Sequence, residues 1–235
     1  MLPSITFEKA WRKFRTIFRH SAPPFTGHYK EWNAKRFQFI TKLMDDQSFD
    51  NLKVLELSAG HANLGRFFFL NGADVTCTDV RPEHLKVISY NFPAIKTIEL
   101  DLELEYPRFP KFNVVIHFGV LYHLSDPITH LKDFLAKQDF DHLFLETEVA
   151  NHLDENFVLR IKEQGYDQGI SGLGGRPTSR AIEKVLSELD CNWERHDTTF
   201  LNSTPHDYSW QETEEPEIYR VGLRRFYHVS KIPSG

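Results

Sequence analysis

Three carboxylates, Glu56, Asp79 and Asp101, each stand at or just beyond a short apolar run, and a turn of mostly small residues, Ser58-Ala59-Gly60-His61-Ala62, follows the first. A carboxylate at a strand end offers two acceptor oxygens to paired hydroxyls such as those of a ribose. A tight turn of small residues lets backbone N–H groups come close to a ligand there. Farther on, Gly119-Val120-Leu121-Tyr122-His123-Leu124 sets a histidine beside a tyrosine. Histidine titrates near neutrality, so His123 is the first candidate base, with His117 and Glu146 behind it. The plainer reading, a histidine that hydrogen-bonds its loop into shape, competes with it and is the stronger of the two. Tyr122 reads as a pocket wall. Arg176 and Arg180 flank a helix start, where guanidinium and backbone N–H groups suit an anion, against the reading of solvated arginines on a capped helix. His196 lies toward the far end of the chain's sheet, on the side expected to select substrate. The histidines show no metal-ligand spacing, and no metal is expected.

The elements that must position these groups follow from hydrophobic patterning. Leu52 to Leu57 has the length and composition of a buried parallel strand, and Asn63 to Asn71 has helical spacing that stops at Asn71-Gly72. Ala73 to Thr78, Ile95 to Leu100, Asn113 to Phe118 and His142 to Thr147 read as further strands. Helices intervene from Pro82 to Tyr90 and from Pro127 to about Lys137, each with proline in its first turn. Strands alternating with helices at this pitch predict a doubly wound, mostly parallel α/β sheet. Two basic helices are expected before it, over residues 5–18 and 31–44. After Val149 the rhythm loosens. Five glycines between Gly165 and Gly175 suggest a loop or closing lid, and Thr178 or Ser179 caps a helix to Leu189. Late strands are expected at 192–200 and 224–230, with a long surface loop over 202–217 between them.

Composition narrows the class. The 235 residues are 40% hydrophobic and 26% charged, ordinary for a chain with a full core. Two cysteines, Cys77 and Cys191, make no disulfide framework or zinc pattern. No run reaches membrane-spanning length and no signal-peptide core is evident, so a cytoplasmic location is the expectation. The net charge of −5 argues against a general nucleic-acid binder. Yet residues 1–42 carry nine Lys or Arg against Glu8 and Glu31. That basic leader either faces an anion or is a solvated helix face.

The motifs Glu56-Leu57-Ser58-Ala59-Gly60-His61-Ala62, Asp79, Asp101 and Val114-Val115-Ile116-His117-Phe118-Gly119-Val120-Leu121-Tyr122-His123-Leu124 resemble those of class I S-adenosylmethionine-dependent methyltransferases of the small-molecule type. The resemblance covers residues 30 to 150 and, in outline, the last third. It implies a seven-stranded Rossmann-like sheet with an antiparallel last strand, and S-adenosyl-L-methionine across the carboxyl ends of the first strands. Carried onto this chain, it implies cofactor contacts from Glu56, Ser58, Ala59 and Gly60 at the turn, from Asp79 and Val80 at the ribose, and from Asp101 and Leu102 at the adenine. His117, Phe118 and Gly119 would floor the sulfonium. The family turn commonly has glycine where Ser58 and Ala62 stand here, so a positive φ at Ser58 would cost more than glycine does.

The reading that results is a methyltransferase acting on oxygen or nitrogen of a small polar acceptor, an anionic one among the candidates. Residues 1–48 form an N-terminal helical extension, and residues 49–235 form the cofactor-binding domain with substrate-side insertions at about 151–180 and 201–222. A tRNA-modifying enzyme ranks below this, because only the leader supplies a basic surface. A non-catalytic methyltransferase-like subunit rests on Ser58 and Ala62 alone. A nicotinamide dehydrogenase wants Gly-x-Gly-x-x-Gly, and Ser58, Gly60 and Asn63 occupy those places.

Overall fold

The computed structural model describes residues 28–163, 165, 168–188, 191–204, 206–212 and 222–231. The expected helix over 5–18 lies outside them. The first described helix, α1 (His28–Leu43), leads into β1 (Lys53–Glu56), α2 (Gly65–Leu70), β2 (Asp74–Asp79), α3 (Pro82–Asn91) and β3 (Lys96–Glu99). Next come β4 (Phe112–Phe118), a 3-10 turn (Leu121–His123), α4 (Pro127–Lys137) and β5 (Phe140–Glu148). The chain closes with β6 (Val158–Lys162), β7 (Leu173–Pro177), α5 (Ser179–Ser187), β8 (Cys191–His196) and β9 (Arg224–Lys231).

Seven strands make one sheet in the order β3-β2-β1-β4-β5-β9-β8. The first five are parallel, and β9 runs antiparallel between β5 and β8. The order reverses between β1 and β4, so a crevice opens beyond their carboxyl ends. Because alternate side chains leave opposite faces of a strand, β1, β4 and β5 each feed two cores. Val54, Val75, Val114, Ile116, Phe144 and Phe226 meet α1 and α2 on one face. Leu55, Val115, Leu143, Leu145, Tyr227 and Val229 meet α4 and α5 on the other.

Local signals set the element ends. Asp126 accepts from Thr129 N–H and Pro127 opens α4. Thr178 Oγ1 caps α5 by accepting from Ala181 N–H at 3.0 Å. Gly72 turns the chain after α2 at φ +98°, where an L side chain is strained.

Two expectations fail here. The glycine-rich segment is not a plain loop: β6 and β7 pair as an antiparallel hairpin. The stretch after residue 202 does not keep to the surface either, since Tyr208 and Trp210 are buried within it. Among the described residues, no helix is long and apolar enough to cross a membrane.

Candidate active site

The turn after β1 forms where the sequence places it. Ser58, Gly60 and Ala62 all take positive φ, at +49°, +56° and +59°. Two of them bear side chains in a region that costs about 1–2 kcal/mol per L-residue. Hydrogen bonds hold the turn there. Glu56 reaches over it, and its two carboxylate oxygens accept from Leu64 and Gly65 N–H, both at 2.8 Å. That carboxylate serves the start of α2 as a cap. Burial raises its pKa to about 7 against the pull of those bonds. A Cβ on Gly65 would come within 2.7 Å of Glu56 Oε2, so the close approach needs glycine.

Asp79 ties the turn to β2. Its Oδ2 accepts from Gly60 N–H at 2.8 Å, and its Oδ1 accepts from Arg81 N–H at 2.9 Å with His84 Nδ1 at 3.2 Å. A carboxylate has about four lone-pair sites, so one on Oδ2 stays available among the described residues. Asp79 pairs in register with Glu99, the last residue of β3, and Asp101 follows two residues beyond that strand's end.

These groups line a two-part cleft. The larger part encloses about 870 Å³ open to solvent and is walled by Glu56, Ser58, Gly60, Asp79, Phe118 and Gly119 on the sheet side. The smaller part encloses about 410 Å³ beside Val80, Asp101, Leu102, Gln168, Gly169 and Ile170. Ser58, Arg81 and His123 border both parts. The two parts therefore adjoin, with Ser58, Arg81 and His123 between them. Gly119, at φ +69°, has open space where a Cβ would stand. Ala59 and Ala62 of the turn are instead buried in the core, with the Ala59 N–H on Thr78 O at 2.7 Å.

His123 is held by a residue the sequence did not single out. Its Nδ1 lies 2.7 Å from Oε2 of Glu163, a buried carboxylate at the end of β6. The same oxygen accepts from Gly169 N–H at 2.8 Å, and Arg176 lies 2.7 Å from Oε1. Burial alone would raise the Glu163 pKa. The His123 bond and charge, with Gly169 N–H and Arg176, outweigh it and bring the value to about 2. An ionised carboxylate accepts only, so Nδ1 carries the proton and the lone pair of neutral His123 sits on Nε2.

The other candidates stand elsewhere. His117 is wholly buried on the face opposite the larger part of the cleft, with Nε2 3.1 Å from His130 Nε2. Burial, with the neighbouring His130, lowers its pKa to about 3. It is a core residue and no base. Glu146 is likewise fully buried, taken by Arg36, by Arg224 Nη1 at 2.8 Å and by Tyr208 OH at 3.1 Å. With two guanidinium groups on it, Glu146 is an anchor and cannot accept a substrate proton. Arg176 is buried between Glu163 and Glu148 rather than facing a ligand. Arg180 is exposed on α5 and borders neither part of the cleft. His196 packs on Phe39 and Phe226 beside a separate depression behind β9. Tyr122 does border the cleft, where its OH accepts from Arg224 Nη2 at 3.0 Å.

The remaining wall comes from α1. Tyr29, Trp32, Asn33 and Arg36 face the larger part, with Arg224 of β9 beside them. Trp32 stacks on His206 with centroids 3.9 Å apart, and the Arg36 guanidinium lies 3.2 Å from the centre of the same indole. Among the described residues, no group of three His, Cys, Asp or Glu could hold a metal ion.

No protein-family model matches the sequence, and no curated protein does. Solved structures do. The N-terminal domain of EvdMO1, crystallised in the presence of SAH and D-fucose, matches with a TM-score of 0.64 at 15% identity, over 95% of this chain and 96% of that one. Magnesium protoporphyrin IX methyltransferase (ChlM) from Synechocystis PCC 6803 with bound SAH matches at 0.58 and 14%, over 94% of each chain. An S-adenosylmethionine-dependent methyltransferase from Mesorhizobium loti matches at 0.58 and 11%, over 87% of this chain and 100% of that one.

The chain therefore has the class I methyltransferase fold, Rossmann-like with an antiparallel seventh strand. Identities this low define the fold, and the chemistry has to come from the site's own residues.

Proposed function

We propose that this chain is an S-adenosylmethionine-dependent methyltransferase that methylates an oxygen or nitrogen of a small polar acceptor. The observation that carries the reading is the pair of adjoining clefts with Asp79 lining one, Asp101 the other and His123 between them. The residues fit such a cofactor. Asp79 Oδ2 keeps a lone pair for a ribose hydroxyl, Asp101 stands beside the smaller part for the adenine edge, and Gly119 leaves the floor without a side chain. S-adenosylmethionine supplies a methyl group already activated by its positive sulfonium.

What this chain adds is alignment, exclusion of water and proton transfer. The turn and the strand ends fix one partner, while Trp32, Phe118 and Tyr122 wall off the space where the other sits. His123 Nε2, oriented through Glu163, takes the proton an acceptor must lose. In this reading residues 1–48 cap a domain of residues 49–235, with insertions at about 151–180 and 201–222. The cap's contribution is supported by α1, whose four residues reach the cleft. Calorimetric titration with S-adenosylmethionine, its demethylated product and NAD tests the reading. Binding of the first two is expected, and binding of NAD alone would reverse it.

A further inference from the structure

The wall of the cleft that faces away from the turn carries two guanidinium groups and an indole N–H. Arg36 and Arg224 both stand on it, and both guanidinium groups lie over the Trp32 indole, 3.2 and 5.2 Å from its centre. Glu146 backs the pair, taking Arg36 on one oxygen and Arg224 on the other. Each guanidinium thus takes one oxygen of Glu146, and the Glu148 charge also acts on Arg224. The next acid along β5, Glu148, is committed to Arg176 and to Gly222 N–H. The acids that border this part of the cleft, Glu56 and Asp79, belong to the turn and the ribose side.

Two donors remain unsatisfied. Trp32 Nε1 and Arg36 Nε are buried with no hydrogen-bond partner among the described residues, although both side chains border the cleft and are only 5% exposed. Buried donors are costly to leave unpaired, so such a pair marks where a ligand's acceptor atoms belong. Burial also lowers the Arg36 pKa to about 10, and the neighbouring Arg224 guanidinium adds to the fall. Across the cleft, His123 offers Nε2 as an acceptor. A cationic amine would meet two guanidinium groups and be repelled. A carboxylate would meet a planar, donor-rich fork.

On the reading of this cleft as a methyltransferase site, we propose that the acceptor is a hydroxy acid, held by its carboxylate at Arg36, Trp32 and Arg224 and methylated on a hydroxyl that faces His123. The acceptor oxygen gives its proton to His123 Nε2 as it forms the new bond to the methyl carbon. The carbon–sulfur bond breaks with its electron pair remaining on sulfur. The products are a methyl ether, the neutral thioether and an imidazolium that faces the Glu163 carboxylate. The methionyl end of S-adenosylmethionine carries a carboxylate too, and the test separates the two sources.

The full chain, saturated with S-adenosylhomocysteine, is titrated calorimetrically with D-glucuronate, 3-hydroxybutyrate and salicylate, and with the amide of each. At least one hydroxy acid is expected to bind, with its amide weaker by tenfold or more. Trp32→Phe, which removes the indole N–H and keeps an aromatic ring, is expected to weaken that acid severalfold and leave S-adenosylhomocysteine within twofold. Arg36→Lys checks the planar fork with the charge retained, its fold verified by circular dichroism. No binding by any acid, or equal binding of acids and amides, would overturn the proposal. If Trp32→Phe instead weakens S-adenosylhomocysteine and spares the acid, the carboxylate read here is the cofactor's and the acceptor assignment falls. Failure to bind S-adenosylhomocysteine at all sinks the underlying methyltransferase reading.

Discussion

Glu163 Oε2 sits 2.7 Å from His123 Nδ1, joining the hairpin inserted after β5 to the 3-10 turn that follows β4. The carboxylate sets the imidazole's tautomer, its ring orientation and the charge it faces once protonated. Glu163→Gln removes the charge and keeps the shape. Turnover is expected to fall about tenfold or more, with the acid limb of the pH-rate profile moved to lower pH because the imidazolium loses the negative charge that favours it. Affinity for S-adenosylmethionine should stay within twofold. Steady-state kinetics across pH, paired with calorimetry, checks this, and an unchanged profile would return His123 to a structural role.

His123→Ala tests the base itself. A positioned general base contributes about 10²–10⁴ in rate, so kcat is expected to drop by that order on a hydroxyl acceptor while cofactor binding persists. A rate near that of the unaltered chain would mean the imidazole only supports its turn.

Asp79→Ala is expected to weaken S-adenosylmethionine by about 1.5–3 kcal/mol, the worth of hydrogen bonds to a charged group. It also strips the acceptor from Gly60 and Arg81 N–H, so the melting temperature should fall with it. Asp101→Ala disturbs less, since its Oδ1 accepts a local bond from Glu103 N–H at 2.9 Å. The two variants compared by calorimetry and thermal melting separate a loss of ligand contacts from a loss of turn geometry.

Ser58→Gly should stabilise the chain by up to about 1 kcal/mol. Relief of the left-handed φ at this position exceeds the extra entropy glycine loses on folding. Urea unfolding measures it directly. Destabilisation would show that the Ser58 side chain contributes more than its backbone costs.

Acid should loosen the fold before carboxylates are fully protonated. Burial lowers the pKa of His117 to about 3, and burial also leads the fall of His130 and His228 to about 4. These histidines bind protons in the unfolded chain first, so stability present above pH 6.5 drains away as pH falls toward 4. Glu56, raised to about 7, works in the opposite direction, gaining stability as pH drops from 7 toward 4.5. Three sites outweigh one at about 1.4 kcal/mol per pKa unit. The melting temperature is therefore expected to fall between pH 6.5 and 4, and His228→Phe should lessen the fall. Differential scanning calorimetry over that range decides it.

The parallel half of the fold was legible because its signals are local. Apolar runs, helix caps and Asn71-Gly72 lie within a few residues of the feature they define. Even His117 could have been read correctly from strand parity. It shares a face with Val115, which packs toward α4, whereas Ile116 and Phe118 share the other. The same alternation places Glu146 with Phe144, toward α1. What stayed hidden depends on distant partners. Arg36 and Glu146 are 110 residues apart, and Arg224 and Glu146 are 78 apart, so no spacing rule links them. The hairpin escaped notice because glycines at 172, 174 and 175 read as loop, yet Gly174 and Gly175 are packed too tightly against Glu163 and Pro127 to carry a side chain.

The oxygen that anchors His123 also grips Gly169, a residue on the rim of the smaller part of the cleft, and a side chain at Gly169 would strike the His123 carbonyl. Both lone pairs of that atom are spoken for, one by His123 between the two parts of the cleft and one by Gly169 at the smaller. One carboxylate oxygen thus ties the position of Gly169 to the orientation of His123, so that a substitution which shifts either residue is felt at the other.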